Sequence, residues 1–298
     1  MEIVWVNKAS EARRLVSEGF EPIECCFGND SVISTPLAMD HHGENSFREG
    51  VAIRAYCDHF GLLKQYQKFV VTGAADADAC FAIAALSGLL PHPSQTREFE
   101  KSLPHVKVAM TRDLRKLAEL INRIDIDPIG IRLQESEEGC LLLFWNQLKS
   151  GDQDALAFYA GVDRWRTLAS GKISKTLPEA ARLGELQRVK KARAAKIQPI
   201  GPLCAFVESS TWGFDVWYTE VAPVIVAYVP TNSNVTVGVR DKSMAEKLFG
   251  TGGLMNVLPK LEPKGWGGRE AVGGSPRGVK ITREQALAAA VVIDSEIN

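Results

Sequence analysis

Histidine is scarce in this chain, with five residues in 298. The six cysteines, Cys25, Cys26, Cys57, Cys80, Cys140 and Cys204, form no Cys-x-x-Cys and show no paired spacing, which speaks against a disulfide framework and for a reduced, cytoplasmic setting. No apolar run approaches the ~20 residues needed to cross a bilayer, so no membrane role is expected. The opening "MEIVWVNKASEARR" lacks the basic start, apolar stretch and cleavage site of a secretory leader. There is no excess of positive charge either. The formal net charge is −1 and the pI about 6.5, so no overall field draws the protein onto nucleic acid or an anionic membrane, and an anionic substrate must be held locally. Neither GxxxxGK[ST] nor GxGxxG occurs, which excludes a nucleotide P-loop and a Rossmann fingerprint. No internal repeat or low-complexity tract is present.

The chain does contain enough apolar residue for two cores. It is 45% hydrophobic and 24% charged, and chains beyond roughly 250 residues tend to split into domains. Along the first half, β-forming runs alternate with helix-period segments. "MEIVWV" reads as a strand, "SEARRLVSEG" as a helix capped by Ser10, and "PIECCFG" and "PLAM" as further strands. A helix follows over "SFREGVAIRAYCDHF", then the strand "KFVVTG" and the helix "ADACFAIAALSGLL". Strands separated by helices imply a parallel sheet with its site beyond the carboxyl ends of the strands. Helical segments continue through "TRDLRKLAELINRI", "CLLLFWNQL" and "DALAFYAGV". A charged helix, "PEAARLGELQRVKKARAAK", then leads to "IQPIGP", whose prolines and glycine mark a domain boundary. The strand candidates "LCAFVESS", "DVWYTE", "VIVAYVP" and "VTVGVR" follow. The expected architecture is a two-domain α/β protein, with a parallel-sheet domain over residues 1–197 and a smaller mixed α/β domain over 203–298.

Chemistry concentrates in three stretches. Asp40, His41 and His42 follow a predicted strand, and carboxylate oxygens with imidazole nitrogens are a ligand set for Mn²⁺, Mg²⁺ or Fe²⁺. A polar loop is the bland alternative. Asp76 and Asp78 stand two apart in the turn after "KFVV", where they can face one cation from the same side. The alternative there is capping of the next helix. In the second domain "GGREAVGGSPRG" holds five glycines, two arginines and a serine in twelve residues. Glycines let backbone N–H groups approach an anion and arginine offers a planar fork, so the loop reads as a phosphate cradle, with a structural turn as the competing reading.

Asp40-His41-His42 and Asp76-Ala77-Asp78 resemble the two signatures of the DHH phosphoesterases, and "GWGGREAVGGSPRG" is similar to the Gly-rich loop of that family's accessory substrate-binding domain. The order departs from the family's, in which Asp-x-Asp comes first, so the strands carrying the motifs would be connected differently. Arg269 also stands where the family's loop carries histidine. The resemblance implies a hydrolase of phosphoester or phosphoanhydride bonds using two divalent cations, Mn²⁺ first and Mg²⁺ as the alternative. The implied ligands are Asp40, His41, Asp76, Asp78, Asp125 and Asp163; Asp127 is an alternative near Asp125, and Asp30, His59 and Glu24 stand behind them. His42 would orient a ligand or protonate the leaving oxygen, while Gly267, Gly268, Arg269 and Arg277 would hold the substrate phosphate. The implied partner is a small phosphorylated substrate. The basic run "RVKKARAAK" could track a short nucleic acid, but it reads first as a solvated helix face. A homodimer is also left open. The competing functional class is a non-catalytic ligand-binding or sensor protein that retains the fold.

Overall fold

The computed structural model describes residues 1–28, 30–34, 37–45, 47–58, 66–73, 76–90, 109–126 and 186–298. The helices expected over 140–148 and 154–162, and Asp127 and Asp163 with them, lie outside the described residues. The chain gathers into two compact units. One comprises Met1–Cys26, Ser31–His41 and Phe47–Ala181, and the other Phe27–Asp30, His42–Ser46 and Arg182–Asn298.

In chain order the first elements are β1 (Glu2–Trp5), α1 (Ala9–Ser17), β2 (Glu21–Ile23), β3 (Cys26–Phe27), β4 (Asp30–Ser31), α2 (Val51–Cys57), β5 (Lys68–Val71), α3 (Ala77–Leu86) and α4 (Ala109–Ile126). Strands β1, β5 and β2 form a parallel sheet in that order, with β5 in the centre. This is the α/β arrangement that the alternating pattern predicts. Helix α3 is buried from Asp78 to Leu86, as expected of a helix apolar on every side. Its alanines let α2 and α4 approach closely, while Phe81 and Ile83 fill the space around Tyr56, Phe69 and Leu114. Full burial of one such side chain contributes about 1.5–3 kcal/mol.

Two local expectations are corrected. Helix α1 starts at Ala9 after Lys8, not at Ser10, because the Lys8 carbonyl already accepts the N–H groups of Glu11 and Ala12. Residues 37–39 of "PLAM" are not a strand. Ala38 has φ +48°, and the carbonyls of Leu37 and Ala38 accept from the Arg54 guanidinium instead of a neighbouring strand.

The second unit begins with a helical stretch over residues 186–193 and continues with β6 (Lys196–Pro199), β7 (Cys204–Glu208), α5 (Phe214–Glu220), β8 (Val224–Val229), β9 (Asn234–Val239), α6 (Lys242–Phe249), β10 (Gly267–Gly268), β11 (Val272–Gly274) and α7 (Arg283–Ser295). Its six strands form one mixed sheet in the order β10-β11-β9-β8-β7-β6, in which β7 and β8 are parallel and the other pairs antiparallel. The sequence predicts "IQPIGP" as a linker, yet its first half, Ile197–Pro199, belongs to edge strand β6. The basic helix before it is fastened to α5, since Arg188 grips the Asp215 carboxylate at 2.9 and 2.7 Å and the Trp217 indole donates to the Ala192 carbonyl. "DVWYTE" is helix α5, not a strand. Phe214, Trp217 and Tyr218 recur at helical spacing and bury one aromatic face. Thr282 and Gln285 close a capping box at the start of α7.

Close packing under α5 gives a stability test. A Cβ at Gly238, on β9, would lie 2.0 Å from Tyr218 Oη and 3.0 Å from Phe214 Cε1, so Gly238→Ala must displace a buried aromatic. A loss of about 1–3 kcal/mol is expected. A Cβ at Gly274, on β11, would meet nothing closer than 3.8 Å, and Gly274→Ala should change stability by no more than about 0.5 kcal/mol. Urea unfolding of both variants measures the contrast, and equal effects would contradict the packing described.

Candidate metal centre

Strands β2 and β5 end level, with Ile23 and Val71 as register partners. The next residue on β2 is Glu24, and the next on β5 is Thr72, whose buried hydroxyl has no hydrogen-bond partner among the described residues. Glu24 leaves the strand with φ +53°, a left-handed conformation that is uncommon and costly for a side-chain-bearing residue. Its N–H donates to the Met39 carbonyl at 2.8 Å, which ties the end of β2 to the segment carrying Asp40 and His41.

Four side chains converge here. Glu24, His41, Asp78 and Asp125 each present a donor atom, and all four atoms lie within 4.8 Å of one another. His41 is the hub, with Nε2 at 2.7 Å from Glu24 Oε1, 2.9 Å from Asp125 Oδ2 and 3.4 Å from Asp78 Oδ2. A ring nitrogen carries at most one hydrogen, so it can serve one of these oxygens well and not all three at once.

Asp78 projects from the first turn of α3 and has a second task. Its Oδ2 accepts the N–H of Val51 at 2.7 Å and its Oδ1 that of Ala52 at 2.9 Å, while Asn122 on α4 accepts the N–H of Gly50 at 2.7 Å. The N-terminus of α2 is thereby capped from two other helices. A Cβ on Gly50 would lie 2.9 Å from Asp78 Oδ1, so this approach requires glycine. Asp125 lies in the last turn of α4, where the helix dipole disfavours a carboxylate, and His41 supplies the compensating charge.

The electrostatics follow from burial and crowding. Burial and the neighbouring Asp76 push the Glu24 carboxyl up to about 7, with His41 opposing. Burial and Asp125 push Asp78 well above the ordinary carboxylate range. Burial lowers the His41 pKa, but Asp125 and Glu24 outweigh it and leave the imidazole well above its ordinary value.

Of the expected metal ligands, His41, Asp78 and Asp125 come together, and Glu24 joins them. Asp40 is fully buried, but its carboxylate accepts from the Ser31 hydroxyl and is not among the converging donors. Asp76 caps α3 by accepting the Ala79 N–H at 2.9 Å, as the capping alternative reads it, while standing near enough to raise the Glu24 pKa. His42 is half-buried, and its carbonyl accepts the Asn45 N–H at 2.9 Å across the turn Gly43–Asn45.

In the second unit Gly267 and Gly268 form β10 and Arg269 begins the turn to β11, its N–H donating to the Val272 carbonyl at 2.6 Å and its side chain buried. The glycines here serve close packing. A Cβ on Gly267 would lie 2.6 Å from the Gly28 carbonyl oxygen, on Gly268 2.3 Å from that of Val272, and on Gly273 2.6 Å from Leu258. Arg277 is half-buried.

No family model and no curated protein matches the chain. Among solved structures it is similar to a DHH-domain protein described as a member of a family of ribosomal proteins. The two share 13% identity at a TM-score of 0.34, over 98% of this chain and 67% of that one. A likeness this slight does not bear on the site. No helix among the described residues is long and apolar enough to cross a membrane.

The pKa values fix the sign of a pH effect. Glu24, Asp78 and His41 all hold protons more tightly in the metal-free fold than in the unfolded chain. Each therefore contributes stability that is present at low pH and lost as pH rises. For Glu24 the loss falls between 4.5 and about 7 and amounts to something on the order of 3 kcal/mol. Unfolding free energies of chelator-treated protein should decline from about pH 5 to about pH 8, and decline less steeply in Glu24→Gln. Identical slopes for the two proteins would show that Glu24 does not titrate this way.

Proposed function

We propose that the Glu24–His41–Asp78–Asp125 cluster is a divalent-cation centre, and that the protein is a metal-dependent hydrolase of phosphoester or phosphoanhydride bonds. The observation that carries the reading is the contact of one imidazole nitrogen with three carboxylates. One cation can bind all four of these donors at once. The donor set fits. Ligands of one ion must present their donor atoms within a few ångströms of one another, and these four all lie within 4.8 Å. Oxygens with one imidazole suit Mn²⁺ or Mg²⁺ and disfavour thiophilic metals. The carboxyl edge of a parallel sheet is also where α/β proteins place their ligands.

When bound, divalent cations supply Lewis-acid polarisation of phosphoryl oxygens and a water acidic enough to attack. Glu24, His41, Asp78 and Asp125 together would hold one ion. A second ion, which the resemblance to DHH phosphoesterases implies, would draw on Asp40, Asp76 and Asp163. In this reading His42, next to the ligand His41, orients a ligand or protonates the leaving oxygen, and Arg269 and Arg277 take the non-reacting phosphate through charge-assisted hydrogen bonds. A small phosphorylated molecule is the proposed substrate, and a cytoplasmic setting and the division of the chain near residue 200 belong to the same reading. One observation favours a non-catalytic alternative: both Asp78 oxygens already serve α2, so the cluster would then be a buried polar network, with or without a sensing role.

Turnover and binding separate the two. Metal-stripped protein should bind Mn²⁺ in a calorimeter and, so loaded, hydrolyse a generic phosphodiester. Glu24→Gln and Asp125→Asn should each weaken Mn²⁺ binding by more than about 100-fold, beyond the loss expected from an outer partner, and Asp40→Asn should weaken it less. Wild-type protein that takes up no Mn²⁺ would rule out the metal centre. Protein that binds Mn²⁺ yet turns over no phosphoester would favour the sensor.

A further inference from the structure

We propose that Arg54 is the positioning residue of this centre, setting the spacing of His41 and Asp78 through helix α2. The inference rests on reading the cluster as a cation site. The segment that presents His41 belongs to neither sheet nor helix, and Ala38 within it has φ +48°. It is held largely from α2. The buried Arg54 guanidinium donates through Nη2 to the carbonyls of Leu37 at 2.9 Å and Ala38 at 2.7 Å, and through Nη1 to that of Asp40 at 3.3 Å. Asp40 directly precedes His41. The same short helix begins on Asp78, which accepts the N–H groups of Val51 and Ala52. Arg54 is three residues after Val51, one helical turn away.

The connections form a closed ring. From the Asp78 carboxylate the path runs through the first turn of α2 to the Arg54 side chain, then to the Asp40 carbonyl and His41, whose Nε2 returns to within 3.4 Å of Asp78 Oδ2. One turn of helix therefore fixes both a carboxylate and an imidazole of the centre. Arginine suits the task because its planar fork reaches several carbonyls at fixed angles, which an ammonium cannot do. Burying a guanidinium largely against neutral carbonyls is also costly, more so than fastening a loop with apolar contacts. Burial lowers its pKa accordingly, with Arg48 adding to the effect and Asp58, Asp78 and Asp40 opposing it.

Arg54→Lys tests this, since it keeps the charge and the stem and removes the fork. On metal-stripped protein, Co²⁺ binding by calorimetry and the d–d absorption of bound Co²⁺ are measured, with far-ultraviolet circular dichroism as the check on folding. Affinity is expected to fall about 10–100-fold, the range for partners that orient ligands, and the Co²⁺ band to change shape. A merely structural role would lower the melting temperature and leave affinity and spectrum alone, and a folded Arg54→Lys protein with both unchanged overturns the proposal. Should that variant fail to fold, Gly50→Ala strains the ring at its other end, where the new Cβ would lie 2.9 Å from Asp78 Oδ1. An unaltered Co²⁺ spectrum there is equally fatal. Wild-type protein that binds no Co²⁺ would remove the cation reading but leave the positioning claim open to test. The imidazole ¹H–¹⁵N correlations of His41 in metal-free protein should then shift between wild type and whichever of the two variants folds, and coincident resonances would refute it.

Discussion

A carboxylate sealed from solvent must find its compensating charge within the fold, and Asp78 divides that demand between a helix and a histidine. Its oxygens hold the first N–H groups of α2 and at the same time face His41. Neither side meets the demand in full. Backbone N–H groups carry only partial charge, and the one hydrogen of His41 Nε2 is contested by Glu24 and Asp125. The raised proton affinity of Asp78, Glu24 and His41 expresses one condition, carboxyl groups crowded against one imidazole where little water reaches. Much of the first unit can be read as a response to it: glycine at position 50, Asn122 beside Asp78, and the arginine of α2 turned back onto the loop.

The edge of the sheet supplies the geometry. β2 stops at Ile23 because Glu24 adopts a left-handed conformation, and the strand's hydrogen bonding passes to the Met39 carbonyl. A strand that continued straight would place the residue after Ile23 in the sheet; the kink re-aims it at His41. Backbone strain of this kind persists only where surrounding contacts over-determine it, and here the Met39 and His41 contacts both act on the strained residue.

The pattern of alternating strands and helices made the α/β class legible, because periodicity reports which faces are buried. His41 and Asp78 were legible as candidates because each stands in a short motif of ligand-type residues after an apolar run, and Asp125 entered through the resemblance to the DHH phosphoesterases. Glu24 ranked low because its neighbours read as an uninterrupted strand, and nothing local announces a positive φ at glutamate. The available signal was a charged residue between Ile23 and two cysteines, a place where burial without a partner would be costly. Arg54 gave less warning, since arginine on a short helix usually faces solvent. The error over "DVWYTE" has the opposite origin. Its β-favouring aromatics and valine suggest a strand, but their spacing matches a helix face, and packing against β9 overrode propensity.

Composition and conformation part company most clearly in the Gly-rich turn. Five glycines in twelve residues suggest a loop opened for an anion, yet Gly267, Gly268 and Gly273 are each required by a neighbour that a Cβ would strike. Their presence is explained by packing and adds nothing to the case for a phosphate cradle. Arg269 is a different matter. Its side chain is buried, so no glycine contact accounts for it. The proposed phosphate contact in the second unit therefore rests on Arg269 and Arg277 and not on the glycines, two side chains whose contribution can be measured separately from the turn that carries them.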